Sequence, residues 1–331
     1  MKIVIPMAGY GKRLRPHTWS KPKPLVSVAG KTVLGHVLDQ FASLPDIEEV
    51  IFIVGYLGEQ VGEYVETNYP HLKTRYVEQR EMSGQSHAIW LAREGLSGPM
   101  LMVFVDTLIE TDLSSIPQEK FDAVAWVKEV PDPRRFGVAE TDDSGIVHKL
   151  VEKPDDISNN LALVGFYYFK EAADLLAAIK KQMETGKALK GEFYLADAIN
   201  IMLEDGLNMR VQRVEVWEDC GKPDALLQTN RYLLEHGRDN STEAGKQDTV
   251  VIIPPVYIDP SAVVEQSVIG PHVSIGSDCT IKRSILQETI VDSESTVSNT
   301  VLEQSLIGRE ARVIGNSQSL NVGDSSEIHF G

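Results

Sequence analysis

The apolar run Lys2–Pro6 stops at the loop Met7-Ala8-Gly9-Tyr10-Gly11-Lys12-Arg13-Leu14-Arg15-Pro16. Two glycines one residue apart allow a tight turn whose backbone N–H groups come close to a phosphate. Arg13 follows, and a guanidinium fork matches phosphate oxygens in pairs. Pro22-Lys23-Pro24 then pins a lysine on a stiff, extended segment. These residue types hold and neutralise phosphate. Two common phosphate loops do not fit, however. A dinucleotide fingerprint needs glycine where Leu14 stands, and a Walker A loop needs serine or threonine where Arg13 stands. Far downstream, Asp106 ends the apolar run Met100–Val105, where an unpartnered carboxylate is costly to desolvate. Alone, it reads equally as a metal ligand or as a helix-capping or turn residue.

Charge placement agrees with a small anionic ligand. The 331-residue chain has a net charge of −16, yet residues 1–38 carry seven lysines and arginines and no acid. A basic island on an acidic body suits a nucleotide and argues against coating nucleic acid. A lysine-rich surface loop is the plain alternative. Hydrophobic residues at 42% and charged residues at 24% exclude a disordered chain. No apolar run approaches the ~18 residues of a membrane span, and the apolar start is too short for a signal peptide. Cys220 and Cys279 cannot make a disulfide framework or a cysteine-rich zinc site. A cytoplasmic protein with no membrane or nucleic-acid partner is expected.

The elements that must position these residues alternate. Strands are predicted at Lys2–Pro6, Val50–Val54, Thr74–Glu78, Met100–Val105, Ala123–Val127, Ile146–Val151 and Leu161–Phe169. Helices are predicted at Val33–Phe41, Gly58–Tyr69, Ser86–Glu94, Glu171–Met183, Tyr194–Leu203 and Ala225–Glu235. This rhythm implies an open α/β sheet, Rossmann-like and mostly parallel, with ligands outside the carboxyl ends of strands. The glycine loop and Asp106 both occupy such ends.

After a polar, aperiodic stretch from Gly237 to Asp248, the texture changes. Val263-Val-Glu-Gln-Ser-Val-Ile-Gly270 echoes Val301-Leu-Glu-Gln-Ser-Leu-Ile-Gly308, and Ile285 opens a third copy 16 residues before Val301. Ile269, Ile275 and Ile281 recur every sixth residue. So short a repeat buries its apolar side chains only by stacking on itself. The tail resembles the hexapeptide repeat of left-handed parallel β-helices, with about four coils. The expected domains are 1–237, a linker at 238–249 and a β-helix at 250–331.

The ordered set Gly9-x-Gly11-x-Arg13-Leu14-x-Pro16-x-Thr18 and Pro22-Lys-Pro-Leu25 resembles the signature of the sugar-1-phosphate nucleotidyltransferases. Phe136-Gly137-Val138, Glu152-Lys153-Pro154, Val164-Gly165-Phe166-Tyr167 and Trp217-Glu-Asp219-Cys-Gly221 continue the match, so it covers nearly the whole chain. The resemblance implies an enzyme that joins a nucleoside triphosphate to a sugar 1-phosphate and releases pyrophosphate. It implies Arg13 and Lys23 as catalytic cations, and Asp106 with Asp219 as ligands of Mg²⁺. It further implies Ala8, Gly9, Gly11, Lys12, Gln79 and Gly84 at the nucleotide, and Gly137, Glu152, Lys153, Asn160, Gly165 and Tyr167 at the sugar phosphate. The expected substrates are dTTP or UTP with glucose 1-phosphate. A mannose-1-phosphate guanylyltransferase or a non-catalytic scaffold relative is the alternative. Self-association through the β-helix is expected.

This chain departs from the family pattern at Lys12, where many relatives have threonine, and at Val105 and Thr107, which flank Asp106 in place of glycine and asparagine. By the same resemblance the loop Gln79–Gly84 reads the base, and His87 close to this base loop reads either as a minor pocket residue or as a structural histidine. His272 is the histidine placed to act as an acyltransferase base, but a structural role fits the short repeat better.

Overall fold

The computed structural model describes residues 1–186, 191–244 and 249–316. Two compact units form, one from Met1–Val26 with Lys31–Thr229, the other from Ser27–Gly30 with the chain from Asn230 onward.

In the first unit the strands are β1 (Lys2–Pro6), β2 (Glu49–Val54), β3 (Thr74–Glu78), β4 (Met100–Val103), β5 (Thr107–Ile109), β6 (Ala123–Glu129), β7 (Gly137–Thr141), β8 (Val147–Glu152), β9 (Leu161–Phe169), β10 (Met209–Arg213) and β11 (Trp217–Asp219). The helices are α1 (Val33–Asp39), α2 (Gly58–Asn68), α3 (Gln85–Leu91), α4 (Ala172–Thr185), α5 (Leu195–Glu204) and α6 (Pro223–Leu233), whose last turn passes into the second unit. Nine strands make one sheet in the order β8-β7-β9-β4-β1-β2-β3, and β6 joins β9 to β10. The sheet is mixed. β1 pairs in parallel with β2 and β4, and β2 with β3, whereas β9 runs antiparallel to β4, β6 and β7. Strand β1 is apolar and buried because neighbours and helices cover it. Ile51, Ile53, Met100, Met102, Phe169 and the inner faces of α3, α4 and α5 share its core.

Local sequence explains the helix ends. Thr32 caps α1 by accepting the Gly35 N–H at 3.0 Å. Glu171 caps α4 through the Ala173 N–H, and Gly186 ends it in a left-handed conformation. Because β1 and β4 are neighbours, their carboxyl ends open side by side, which brings the glycine loop next to Asp106.

In the second unit, three parallel four-stranded sheets form from successive coils. Val250–Ile252, Ser267–Ile269, Ile285–Gln287 and Val301–Glu303 make one of them. This is the β-helix arrangement expected from the repeat, with four strands per sheet for four coils. Ile269, Ile275 and Ile281 are fully buried, one on each sheet. Ile285 pairs with Val301 and Val268 with Ile285, so one coil takes 16 or 17 residues. Val263 and Ile285, aligned by sequence, lie on different sheets: their offset is a coil plus one face.

The segment expected as a linker is partly ordered within this unit. Asp239 Oδ1 accepts the Val256 N–H at 2.9 Å, and Asn240 bridges Ile258 through its Nδ2 and Oδ1. Residues 245–248 and 317–331 lie outside the described residues. His272 is engaged: Nε2 lies 2.8 Å from Glu235 Oε1, and Nδ1 lies 3.7 Å from Glu288, itself bonded to Arg231. That network fits the structural role and leaves the ring tied. Ala29 donates its N–H to Asn230 Oδ1 at 3.0 Å, and Ser27 Oγ donates to Asp292 Oδ1 at 3.1 Å. No helix among the described residues is long and apolar enough to cross a membrane.

Candidate active site

A cleft of about 730 Å³ opens over the strand ends of the first unit, a size ordinary for a ligand pocket. The glycine loop forms one wall. Leu14 is buried and anchors a single turn over Lys12–Leu14, which leaves Lys12 and Arg13 exposed beside the cleft. Gly11 has φ 60°, and a Cβ there would meet Lys23 Cβ and Thr18 Cγ2 at 3.1 Å. Glycine at this position therefore serves two ends: it permits the left-handed turn and lets the loop lie against the Lys23 segment.

Asp106 follows β4 after a tight turn. Gly165, at φ 84°, makes that turn possible, since a Cβ there would meet the Phe104 ring at 2.6 Å. Its carbonyl accepts the Phe104 N–H at 2.9 Å. The chain then forms β5, which pairs antiparallel with β11 so that Asp219 lies opposite Thr107. This small ribbon joins the two aspartates, and the sequence patterns missed it. Both of its strands are only three residues long, too short for an apolar signature to stand out.

The charged groups converge. Lys23 Nζ pairs with Asp106 Oδ2. Asp219 Oδ1 accepts the Gly221 N–H at 2.6 Å. A Cβ on Gly221 would lie 2.7 Å from that oxygen and 2.9 Å from Arg13 Nη2, so the guanidinium and the carboxylate flank one glycine. Burial alone would raise the Asp106 pKa, but the Lys23 and Arg13 charges hold it below its ordinary value. Asp219 goes the other way. Burial and the Asp106 charge raise it, against the Gly221 N–H, Lys23 and Arg13. The two acids are thus close enough to repel.

At the opposite end, Glu152 on β8 pairs with Gly137 on β7. A Cβ on Gly137 would sit 3.2 Å from Glu152 Oε2, so the bare glycine keeps this corner open. Burial raises the Glu152 pKa, Lys153 opposes it, and Asp197 and Glu192 reinforce it. Lys153 Nζ lies 3.3 Å from both Glu152 Oε1 and the Tyr194 hydroxyl, and packs over the Tyr194 ring. Near the base loop, Gln79 is buried. Its Nε2 donates to the Gly84 carbonyl at 3.1 Å and lies 3.3 Å from His87 Nδ1.

Of the residues expected at the site, Ala8, Gly9, Gly11, Lys12, Arg13, Lys23, Gln79, Gly84, Asp106, Gly137, Glu152, Gly165, Tyr167 and Asp219 line this one cleft. Lys153 stands at its edge without lining it, and Asn160 is exposed elsewhere, its carbonyl accepting the Val130 and Ala162 N–H groups. The structure adds Arg135, Phe136, Glu192 and Trp217 to the lining, with Phe136 and Trp217 in edge contact at 4.8 Å. Phe136 and Trp217 stood inside recognised motifs; Glu192 carried no signal in the sequence.

The nucleotidyl transferase family model matches residues 2–236. The bifunctional protein GlmU of Methanocaldococcus jannaschii is 33% identical over 264 residues, which is 80% of this chain and 61% of GlmU. The chain thus spans less than two thirds of that relative. A glucose-1-phosphate thymidylyltransferase of Streptomyces griseus is 29% identical over 88% of this chain and 87% of its own length. Among solved structures, a UDP-glucose pyrophosphorylase complexed with UDP-glucose shares the fold at a TM-score of 0.63. It is 21% identical and matches 71% of this chain and 98% of that one.

Proposed function

Because this chain belongs to the nucleotidyl transferase family, we propose that it joins a nucleoside triphosphate to a sugar 1-phosphate and releases pyrophosphate. The observation that carries this reading is the meeting of Arg13, Lys23, Asp106 and Asp219 at one end of a cleft whose other end presents Glu152 and Gly137. Both reactants are anions, so repulsion and charge development dominate the barrier. A sugar-phosphate oxygen forms a bond to the α-phosphorus while the bond to the departing pyrophosphate breaks. Catalysis is therefore positioning and electrostatic stabilisation, with no covalent protein intermediate. Arg13 grips the triphosphate and the departing pyrophosphate. Lys23 moves from Asp106 towards the phosphate under attack and neutralises it. Glu152 accepts hydrogen bonds from sugar hydroxyls, and Lys153 approaches the sugar phosphate from the cleft edge. Asn160 follows the family resemblance alone.

Asp106 and Asp219 fit Mg²⁺. They are hard oxygen donors from two carboxylates, the usual protein share for a metal that also takes substrate oxygens. When bound, the ion supplies charge neutralisation at the phosphates. Residues 1–237 carry the chemistry in this proposal, and the described coils of the β-helix run from Val250 to Ile314.

The substrates we favour are dTTP or UTP with glucose 1-phosphate. The thymidylyltransferase likeness over most of both chains supports this choice. Pyrophosphate release measured with four nucleoside triphosphates and a panel of sugar 1-phosphates tests it. The highest kcat/KM is expected for a pyrimidine triphosphate with glucose 1-phosphate, and only with Mg²⁺ present. No release from any pair overturns the enzymatic reading. A GTP and mannose 1-phosphate optimum replaces the substrate choice.

A further inference from the structure

We propose that His87 is a positioning residue that makes Gln79 read the nucleobase as a hydrogen-bond acceptor only. The inference rests on the proposed function and on the placement of the base against Gln79 that the family resemblance implies. A glutamine amide offers two N–H donors and one carbonyl acceptor, so it is ambiguous by nature. Here the ambiguity is removed from behind. One amide proton goes to the Gly84 carbonyl at 3.1 Å, and the other faces His87 Nδ1 at 3.3 Å. With Nδ1 as the acceptor, the His87 ring carries its proton on Nε2. The amide cannot turn over, because its oxygen would then face the Gly84 carbonyl, acceptor against acceptor. Gln79 lines the cleft while His87 does not, so His87 acts through the amide and not on the ligand. The free group of Gln79 is its carbonyl oxygen.

An acceptor-only reader selects bases by their ring nitrogen. Uracil, thymine and guanine present a ring N–H beside a carbonyl, whereas cytosine and adenine present a bare ring nitrogen at that place. A buried acceptor facing another acceptor is left unpaired, and this kind of mismatch discriminates strongly. Gly84 alone fixes one proton. His87 withdraws the second, which would otherwise be available to a cytosine ring nitrogen.

The test is the ratio of kcat/KM for UTP over CTP in the full chain. His87→Leu and His87→Ala are expected to lower that ratio about tenfold, mainly by raising activity with CTP, with the KM for sugar 1-phosphate unchanged. His87→Asn, which can supply an acceptor oxygen, is expected to retain most of the parental ratio. Ratios within twofold of the parent in both truncations overturn the proposal. So does an equal fall in His87→Asn, which would mark a packing effect. Gln79→Ala separates the two levels. If it leaves base selection unchanged while pyrophosphate release persists, Gln79 does not face the base and the His87 proposal falls with it. If the parent releases no pyrophosphate from any triphosphate, the proposed reaction itself has failed.

Discussion

Asp106 shows how one residue acquires its role from its surroundings. It ends an apolar strand, and its burial alone would favour the neutral acid. Lys23 and Arg13 reverse that preference and keep it ionised, while the neighbouring Asp219 is pushed the opposite way. Two acids with opposite shifts beside one lysine are the arrangement on which the proposed metal and triphosphate site rests. Asp106→Asn keeps the shape and removes the charge. Mg²⁺-dependent pyrophosphate release is expected to fall at least about 100-fold, with the thermal midpoint close to that of the parent. Unchanged turnover would remove Asp106 from the machinery. The sequence exposed Arg13, Lys23 and Asp106 through spacing and through the termination of apolar runs. It did not expose Gln79's orientation, because the Gly84 carbonyl and the His87 ring that set it are features of a folded loop and helix start.

Elements were legible in proportion to how apolar and how long they are. Strands such as Lys2–Pro6 and Leu161–Phe169 are buried along nearly their whole length, so their hydrophobic runs announce them. Met209–Arg213 alternates apolar and polar residues on the outer strand of the sheet and passed unnoticed. One ion pair helps hold it. Arg210 reaches Glu119 Oε2 at 2.5 Å, and the other Glu119 oxygen accepts the Lys120 and Phe121 N–H groups. Burial would raise the Glu119 pKa, but Arg210 and those N–H groups hold it below its ordinary value. A carboxylate lowered by folding contributes stability above its unfolded pKa of about 4.3, and loses that contribution as pH falls through the folded value. Glu119→Gln is therefore expected to cost about 1.5–3 kcal/mol at pH 7. Urea unfolding should show the difference from the parent shrinking below about pH 4. A pH-independent difference would mean that packing, not charge, holds the strand.

At the scale of the whole molecule, the β-helix was the most legible part, because a six-residue period of isoleucines has few alternative meanings. The division of the chain was less so: residues 27–30 belong with the second unit, and no composition shift marks them. The coils also leave an uncharged ladder on one outer face. Val251, Val268, Ile285 and Val301 stand in register, and Val251, Ile285 and Val301 are well exposed. An exposed apolar stripe on a chain of net charge −16 supports self-association, with a second copy supplying the same stripe. Sedimentation equilibrium tests this. The double substitution Ile285→Glu and Val301→Glu is expected to reduce the parent assembly to monomers, and a parent already monomeric, or a mass unchanged by the substitutions, would refute it.

The bond from the Ala29 N–H to the Asn230 side chain spans 201 residues. During synthesis the loop that follows Lys23 leaves the ribosome long before its acceptor exists. At about 5–20 residues per second, that wait is roughly 10–40 s. Asp292, the acceptor for Ser27, emerges later still. These two bonds of the loop thus close only after the second unit's residues have been made.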